Sequence, residues 1–301
     1  MSDDGKQIVV GYDGSGESKA AIHWAAAVAQ RRGRPLLVAS AAGIDPGSQQ
    51  VNTAKRLSEE GAALAKKHAD IAVSAESPGA GAVATLVGLS KEAELIVMGN
   101  RGRGRLRGAL LGSAAFSVAI HAECPVAITR DTIRPLPSAD YPIVVGSDGS
   151  PASSAAVEEA GRLASQTGAN LKIVVAYDAP SNTPWLIAHY PEEVKGGSEK
   201  NVWTRQVFDP DLEGTSGEQR QREAAGIAHA AADRVAERYP EVPIDLVVIS
   251  GRPERAIVDA ADEASLIVVG ARGRGDFASL LLGSVSRDVI QHADCTVYVV
   301  R

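Results

Sequence analysis

Apolar residues fall in short unbroken runs, separated by longer stretches in which they recur at helical spacing. Ile8-Val9-Val10, Leu36-Leu37-Val38 and Leu95-Ile96-Val97-Met98 are runs of this kind. They predict strands at residues 6–12, 35–40, 71–76, 94–98 and 125–130, with helices near 17–32, 52–69, 81–91 and 113–121. The runs are β-branched and do not alternate with polar residues, as in strands covered on both faces. Strand–helix alternation predicts a parallel sheet with right-handed crossovers. The scheme then repeats, with strands near 142–147, 170–176, 244–249, 265–269 and 296–300. The accompanying helices lie near 152–166, 217–239, 254–263 and 284–292.

The repetition extends to the residues themselves. Ile8-Val9-Val10-Gly11-Tyr12-Asp13-Gly14-Ser15 returns as Ile143-Val144-Val145-Gly146-Ser147-Asp148-Gly149-Ser150, 135 positions later. His121-Ala122-Glu123-Cys124 returns as His292-Ala293-Asp294-Cys295, 171 positions later. The second copy therefore carries 36 additional residues between these blocks. A repeat of this size means two copies of a domain rather than a solenoid. The copies span 1–132 and 141–301, and the segment with Pro135 and Pro137 reads as the linker. The extra residues fall at about 178–216 and include Trp185, Tyr190, Trp203 and Phe208. A solvated insertion and a lid or partner-contact arm are both open readings of so long a loop.

Composition narrows the function classes. Net charge is −6, divided as +3 over residues 1–139 and −9 over the remainder. An acidic chain without a long basic stripe is a poor nucleic-acid binder. No apolar run approaches the roughly 18 residues of a membrane span. The acidic start Met1-Ser2-Asp3-Asp4 does not read as a signal peptide, so a cytoplasmic location is expected. Cys124 and Cys295 occupy equivalent positions and read as small buried hydrophobes, not a disulfide framework.

Candidate chemistry lies in a duplicated glycine pattern. Gly99-Asn100-Arg101-Gly102 is followed, nine residues on, by Gly112-Ser113; Gly270-Ala271-Arg272-Gly273 is followed at the same spacing by Gly283-Ser284. Each pattern leaves an apolar strand and enters a helix. Glycine lets a backbone approach a ligand closely, and a helix start offers unsatisfied N–H groups to an anion. Open parallel sheets bind ligands beyond the carboxyl ends of their strands. There Asp13 and Asp148, at the ends of the first strands, could accept hydrogen bonds from a ribose or adenine. Singly, each residue has a plain role: Asp and Ser cap helices and Gly serves turns. Jointly, the repeated spacing favours two nucleotide-sized anion sites. Arg101, Arg103, Arg272 and Arg274 flank the glycines and suit phosphate oxygens, or a solvated loop.

These motifs resemble those of the universal stress protein family, in its tandem, ATP-binding form. The resemblance covers nearly the whole chain, and Cys124-Pro125-Val126 adds to it. It implies an α/β fold of two tandem Rossmann-like domains. Each would be a five-stranded parallel sheet, order 3-2-1-4-5, with helices on both faces. It also implies an adenine nucleotide, ATP alone or with Mg²⁺, in the crevice. By that resemblance Asp13 meets the nucleoside and Gly99, Gly102, Gly112 and Ser113 hold the phosphates in the first copy, and Asp148, Gly270, Gly273, Gly283 and Ser284 do so in the second. Arg103 and Arg274, from their place beside the glycines, and the hydroxyl of Ser286 are further candidate contacts. Ser286 is matched by Ala115, and Arg105 by Asp276, so the two sites are expected to differ in affinity. The family also implies pairing through the last strands, as an internal pseudo-dimer or a homodimer. No P-loop lysine motif and no metal-ligand histidine spacing occurs, and no catalytic residue is assigned. The function expected is a nucleotide-dependent regulator in stress response; the alternative is a slow ATPase or phosphotransferase.

Overall fold

The computed structural model describes residues 6–41, 49–102, 111–131, 134–177, 202–206, 216–273 and 282–301. In the first copy β1 (Gln7–Gly11), α1 (Gly16–Arg32), β2 (Leu36–Ala39), α2 (Gln49–Lys66) and β3 (Val73–Glu76) come first. They are followed by α3 (Ala82–Leu89), β4 (Ala93–Gly99), α4 (Ser113–His121) and β5 (Val126–Thr129). The second copy opens with β6 (Ile143–Gly146), α5 (Pro151–Thr167), β7 (Leu171–Tyr177), β8 (Val202–Gln206) and α6 (Ser216–Arg238). It closes with β9 (Ile244–Ser250), α7 (Pro253–Asp259), β10 (Leu266–Gly270), α8 (Ser284–His292) and β11 (Thr296–Val300).

The chain divides into two units. The first comprises Met1–Leu136 with Ile290–Val299 and Arg301; the second comprises Pro137–Val289 with Val300. In the first unit the strands run β3-β2-β1-β4-β5, all parallel. At the outer edge of β5 lies β11, antiparallel, with Val297 opposite Ile128 and Val299 opposite Val126. In the second unit β10-β6-β7-β9 repeats the order of β4-β1-β2-β3. Residues 202–206, inside the sequence insertion, form β8, which pairs in parallel with β9 and extends that sheet by a strand. The insertion thus contributes to the sheet in part, which neither reading of it as a loop included. Residues 178–201 and 207–215, where a lid or arm was the other reading, lie outside the described residues.

Why the strands read as continuous apolar runs is visible in their burial. Ile8, Val9 and Val10 of β1 and Leu95, Ile96 and Val97 of β4 are fully buried. Helices cover both faces, so no residue of a central strand can be polar without losing water. Among the strands whose burial is described, the edge strand β3 is the most open, with Ser74, Ala75 and Glu76 exposed, while Glu94 of β4 and Lys172 of β7 are half-buried polar residues.

Local chemistry sets the helix limits. Ser15 caps α1 by accepting from Ser18 N at 3.1 Å, and Gly33 ends the helix at φ 61°. Ser150 and Gly168 (φ 67°) do the same for α5, where Pro151 takes the first helical position. The turn between β1 and α1 needs Gly14 at φ 82°, and its counterpart Gly149 at φ 76°. Both are left-handed conformations that glycine adopts without a Cβ penalty.

Two arginines tie strand ends to helix ends. Arg130, buried at the end of β5, donates from Nη2 to Ile290 O of α8 at 2.5 Å. Arg301, 171 positions later, donates to Ala119 O of α4. Each guanidinium satisfies a last-turn carbonyl and opposes the negative end of the helix dipole. Burial pulls the Arg130 pKa down, with Cys295 and Asp294 acting in the other direction. The two cysteines are buried and in no disulfide, and burial pushes both thiols up to about 11.

The close approach of α1 to β4 rests on one missing side chain. A Cβ on Gly99 would lie 2.8 Å from Glu17 C and Cβ, inside contact distance of the α1 backbone. Gly99→Ala is expected to lower stability by about 1–3 kcal/mol, since backbone cannot yield as a side chain does. Gly16→Ala, where nothing lies within 4 Å, should be near neutral. Urea unfolding of the two variants checks the pair. A second expectation concerns His23 of α1 and His68, which follows α2; their rings stand 3.8 Å apart at 50°. Partial burial, and then the neighbouring His68, hold the His23 pKa below 6.5. The folded state therefore binds fewer protons there than the unfolded chain. The stabilising neutral form is present above the unfolded pKa and is lost as pH falls through the folded one. In His68→Gln the drop in melting temperature between about pH 7.5 and about pH 5 should be smaller than in the parent. An unchanged drop would remove the coupling.

Candidate functional site

β1 and β4 are parallel neighbours, with Val10 beside Val97. Both end at glycine, so the loops that leave them meet. A cavity of about 520 Å³ opens there, lined by Tyr12, Asp13, Gly99, Arg101, Gly102 and Gly112 among others. Its size is that of a small-molecule site.

Asp13 is placed by the turn it belongs to. Its Oδ1 accepts from Ser15 N at 3.0 Å and from Ser15 Oγ at 2.6 Å. Helix capping falls to Ser15, so Asp13 supports the cap rather than being it. Its other carboxylate oxygen faces the second loop: a Cβ on Gly102 would lie 2.6 Å from Asp13 Oδ2. The two loops touch through that missing side chain.

Gly112 closes the second loop. Its N–H donates to Asn100 O at 2.7 Å, which engages the amide that the sequence reading offered to a phosphate. Gly112 is also the N-cap of α4, with no side-chain cap, and its carbonyl accepts from Phe116 N at 3.1 Å. Serine is the residue type that more commonly takes this position. Ser113 is instead the first helical residue, and the amides of Ser113, Ala114 and Ala115 have no acceptor within the helix. Ala114 and Ala115 line the cavity. Arg101, half-exposed at the rim, reaches Glu17 Oε1 at 3.7 Å.

The second unit repeats this geometry. Asp148 Oδ1 accepts from Ser150 N at 2.9 Å, and a Cβ on Gly273 would lie 2.7 Å from Asp148 Oδ2. Gly283 N donates to Ala271 O at 2.7 Å, and a Cβ on Gly270 would lie 2.7 Å from Ala152 O of α5. Ser284 opens α8 as Ser113 opens α4. Ser286 is 5% exposed and donates its hydroxyl to Gly270 O at 2.6 Å, so its proton braces the end of β10. Arg103 and Arg274, with Arg105 and Asp276, lie outside the described residues.

Several lining residues were not singled out by sequence. Thr53 and Leu57 come from α2, Thr85 and Leu86 from α3, and Met98 from β4. They carried no signal, because small aliphatic and hydroxyl residues on helices and strands read as ordinary core.

The comparisons agree with this architecture. Residues 5–130 and 141–301 match the model of the Universal stress protein family. The chain is 34% identical, over 326 aligned residues, to Universal stress protein Rv2005c of Mycobacterium tuberculosis; the match covers 100% of this chain and 99% of that one. It is 33% identical over 315 residues to Universal stress protein Rv2623 of the same species, covering 98% and 96%. A universal stress protein of Archaeoglobus fulgidus shares the fold with a TM-score of 0.68 at 18% identity, over 98% of this chain and 96% of that one. Among the described residues no helix is long and apolar enough to cross a membrane. The chain belongs to the Universal stress protein family.

Proposed function

We propose that the crevice of the first unit binds an adenine nucleotide, ATP, and that the protein acts as a nucleotide-dependent regulator in stress response. The observation that carries the reading is the juxtaposition of Asp13 Oδ2 with Gly102 in the wall of a cavity of about 520 Å³. A carboxylate there can accept from a ribose hydroxyl or an adenine amine. Across from it, the start of α4 directs amide dipoles at an anion. Gly102 leaves backbone exposed where a side chain would stand, while Gly99 serves mainly to admit α1. Gly112 shapes the loop through its bond to Asn100, so the phosphate donors are the amides of Ser113, Ala114 and Ala115. Asp148, Gly273, Gly283 and Ser284 support a second nucleotide in the second unit. Mg²⁺ would enter with the triphosphate. Nucleotide occupancy would then favour one conformation or partner surface over another. Pairing of two chains as a homodimer is part of the same reading.

Equilibrium dialysis with labelled ATP checks it. Binding is expected in the parent, with affinity reduced at least about tenfold, or about 1.4 kcal/mol, in Gly102→Val and in Asp13→Ala. A valine at 102 would displace the carboxylate and fill the cradle at once. Nothing bound at millimolar ATP, or affinity unchanged in both variants, would sink the proposal. Turnover with Mg²⁺ that is lost in Asp13→Ala plus Asp148→Ala would make the protein an enzyme instead.

A further inference from the structure

The loops that follow β4 and β10 carry an arginine at the same point. Arg101 Cα lies 3.4 Å from where a Cβ on Gly112 would stand, and Arg272 Cα lies 3.6 Å from the equivalent point at Gly283. Each arginine is therefore rooted beside the start of a helix, α4 or α8, whose first amides have no acceptor within the helix. Arg101 also lines the crevice of the first unit. Both side chains reach solvent.

What differs is the residue that the opposing helix sets against them. A Cβ on Gly99 would lie 2.8 Å from Glu17 C and Cβ of α1, and a Cβ on Gly270 would lie 2.7 Å from Ala152 O of α5. The backbone contact is the same, and the 135-residue offset places Ala152 at the position of Glu17. One copy thus puts a carboxylate beside its arginine and the other a methyl group. Glu17 Oε1 stands 3.7 Å from Arg101 Nε, and the Glu17 side chain is 21% exposed against 41% for Arg101. Packing at Gly99 fixes the Glu17 backbone, so its carboxylate stays within reach of the crevice mouth.

So open an ion pair contributes little to stability. Its effect on a polyanion is larger, because repulsion from a fixed carboxylate grows with the charge of the ligand. We infer that Glu17 sets the charge preference of the nucleotide site in the first unit, an inference that rests on the nucleotide reading of that crevice. Glu17 engages Arg101 and repels each further phosphate. The site therefore gains less from a lengthened phosphate chain than the same backbone would gain without it. The plain alternative is an acid that stabilises the first turn of α1, a place where α5 has none. A helix-stabilising role would change the melting temperature but not the choice between nucleotides.

The test is equilibrium dialysis of the full chain with labelled ATP and AMP, without divalent cations. Gly273→Val confines binding to the first unit, and Asp148→Ala serves as that background if Gly273→Val does not fold. Glu17→Gln and Glu17→Ala should each raise the preference for ATP over AMP by about three- to tenfold, through tighter ATP and nearly unchanged AMP. Arg101→Gln should lower that preference. In a Gly102→Val background, which leaves the second unit to bind, Ala152→Glu should lower it as well; the Glu17 variants decide the matter if Ala152→Glu does not fold. Added salt should shrink each difference. A preference unmoved or lowered in both Glu17 variants, with ATP still bound, would overturn this inference and leave the nucleotide reading standing. Absence of ATP binding in the parent would overturn both.

Discussion

The crevice depends on how closely one backbone can approach another at the end of β4. Parallel pairing with β1 brings both strand ends to the same level. Only the absence of a side chain at Gly99 lets the first turn of α1 lie against that end, 2.8 Å from where a Cβ would be. With α1 held there, the Asp13 turn sits beside the loop after β4, and Gly102 removes the second obstruction. Backbone against backbone leaves no soft atom to move. The glycines are therefore a geometric requirement of the fold before they are a ligand-binding device.

That requirement separates roles which a motif alone treats as one. Gly99 and Gly270 admit a helix, Gly102 and Gly273 admit a carboxylate, and Gly112 and Gly283 turn their amides back to clasp the loop. In the proposed reading an anion is left to the start of α4 or α8, where the fold leaves amides without intrahelical acceptors. Ser286 shows the same division: its hydroxyl lies beside the site residues but supports Gly270.

Duplication preserved the backbone devices and released the side chains. Ser15 and Ser150 cap in the same way, and Asp13 and Asp148 brace those caps through the same oxygen. Arg130 and Arg301 each reach a last-turn carbonyl 171 positions from the other's. By contrast, Tyr12 became Ser147, and a packed position became a cavity. Backbone contacts tolerate no change in shape, whereas a side chain that fills space can be removed if the void it leaves is open to solvent or to a ligand.

The sequence by itself determined the alternation of strands and helices, the two-copy organisation and the loops that meet at the candidate crevice. Each of these is written in a local or repeating signal: unbroken β-branched runs, Ser and Gly at helix ends, and glycine at fixed spacing. Helix limits shifted by a few residues, as at α2 and α7, because fraying ends carry weak signals. Tertiary structure alone decided the rest. The strand at Val202–Gln206 exists because β9 offers an edge to pair with; the β-forming residues Val202, Trp203 and Thr204 permit a strand but do not name that partner. Gly112 rather than Ser113 caps α4 because its amide is needed by Asn100 O, a contact made across the loop. Whether a glycine faces a helix, a carboxylate or a ligand is set by what lies beyond its missing Cβ. That neighbour is distant in the chain, so no local pattern could name it.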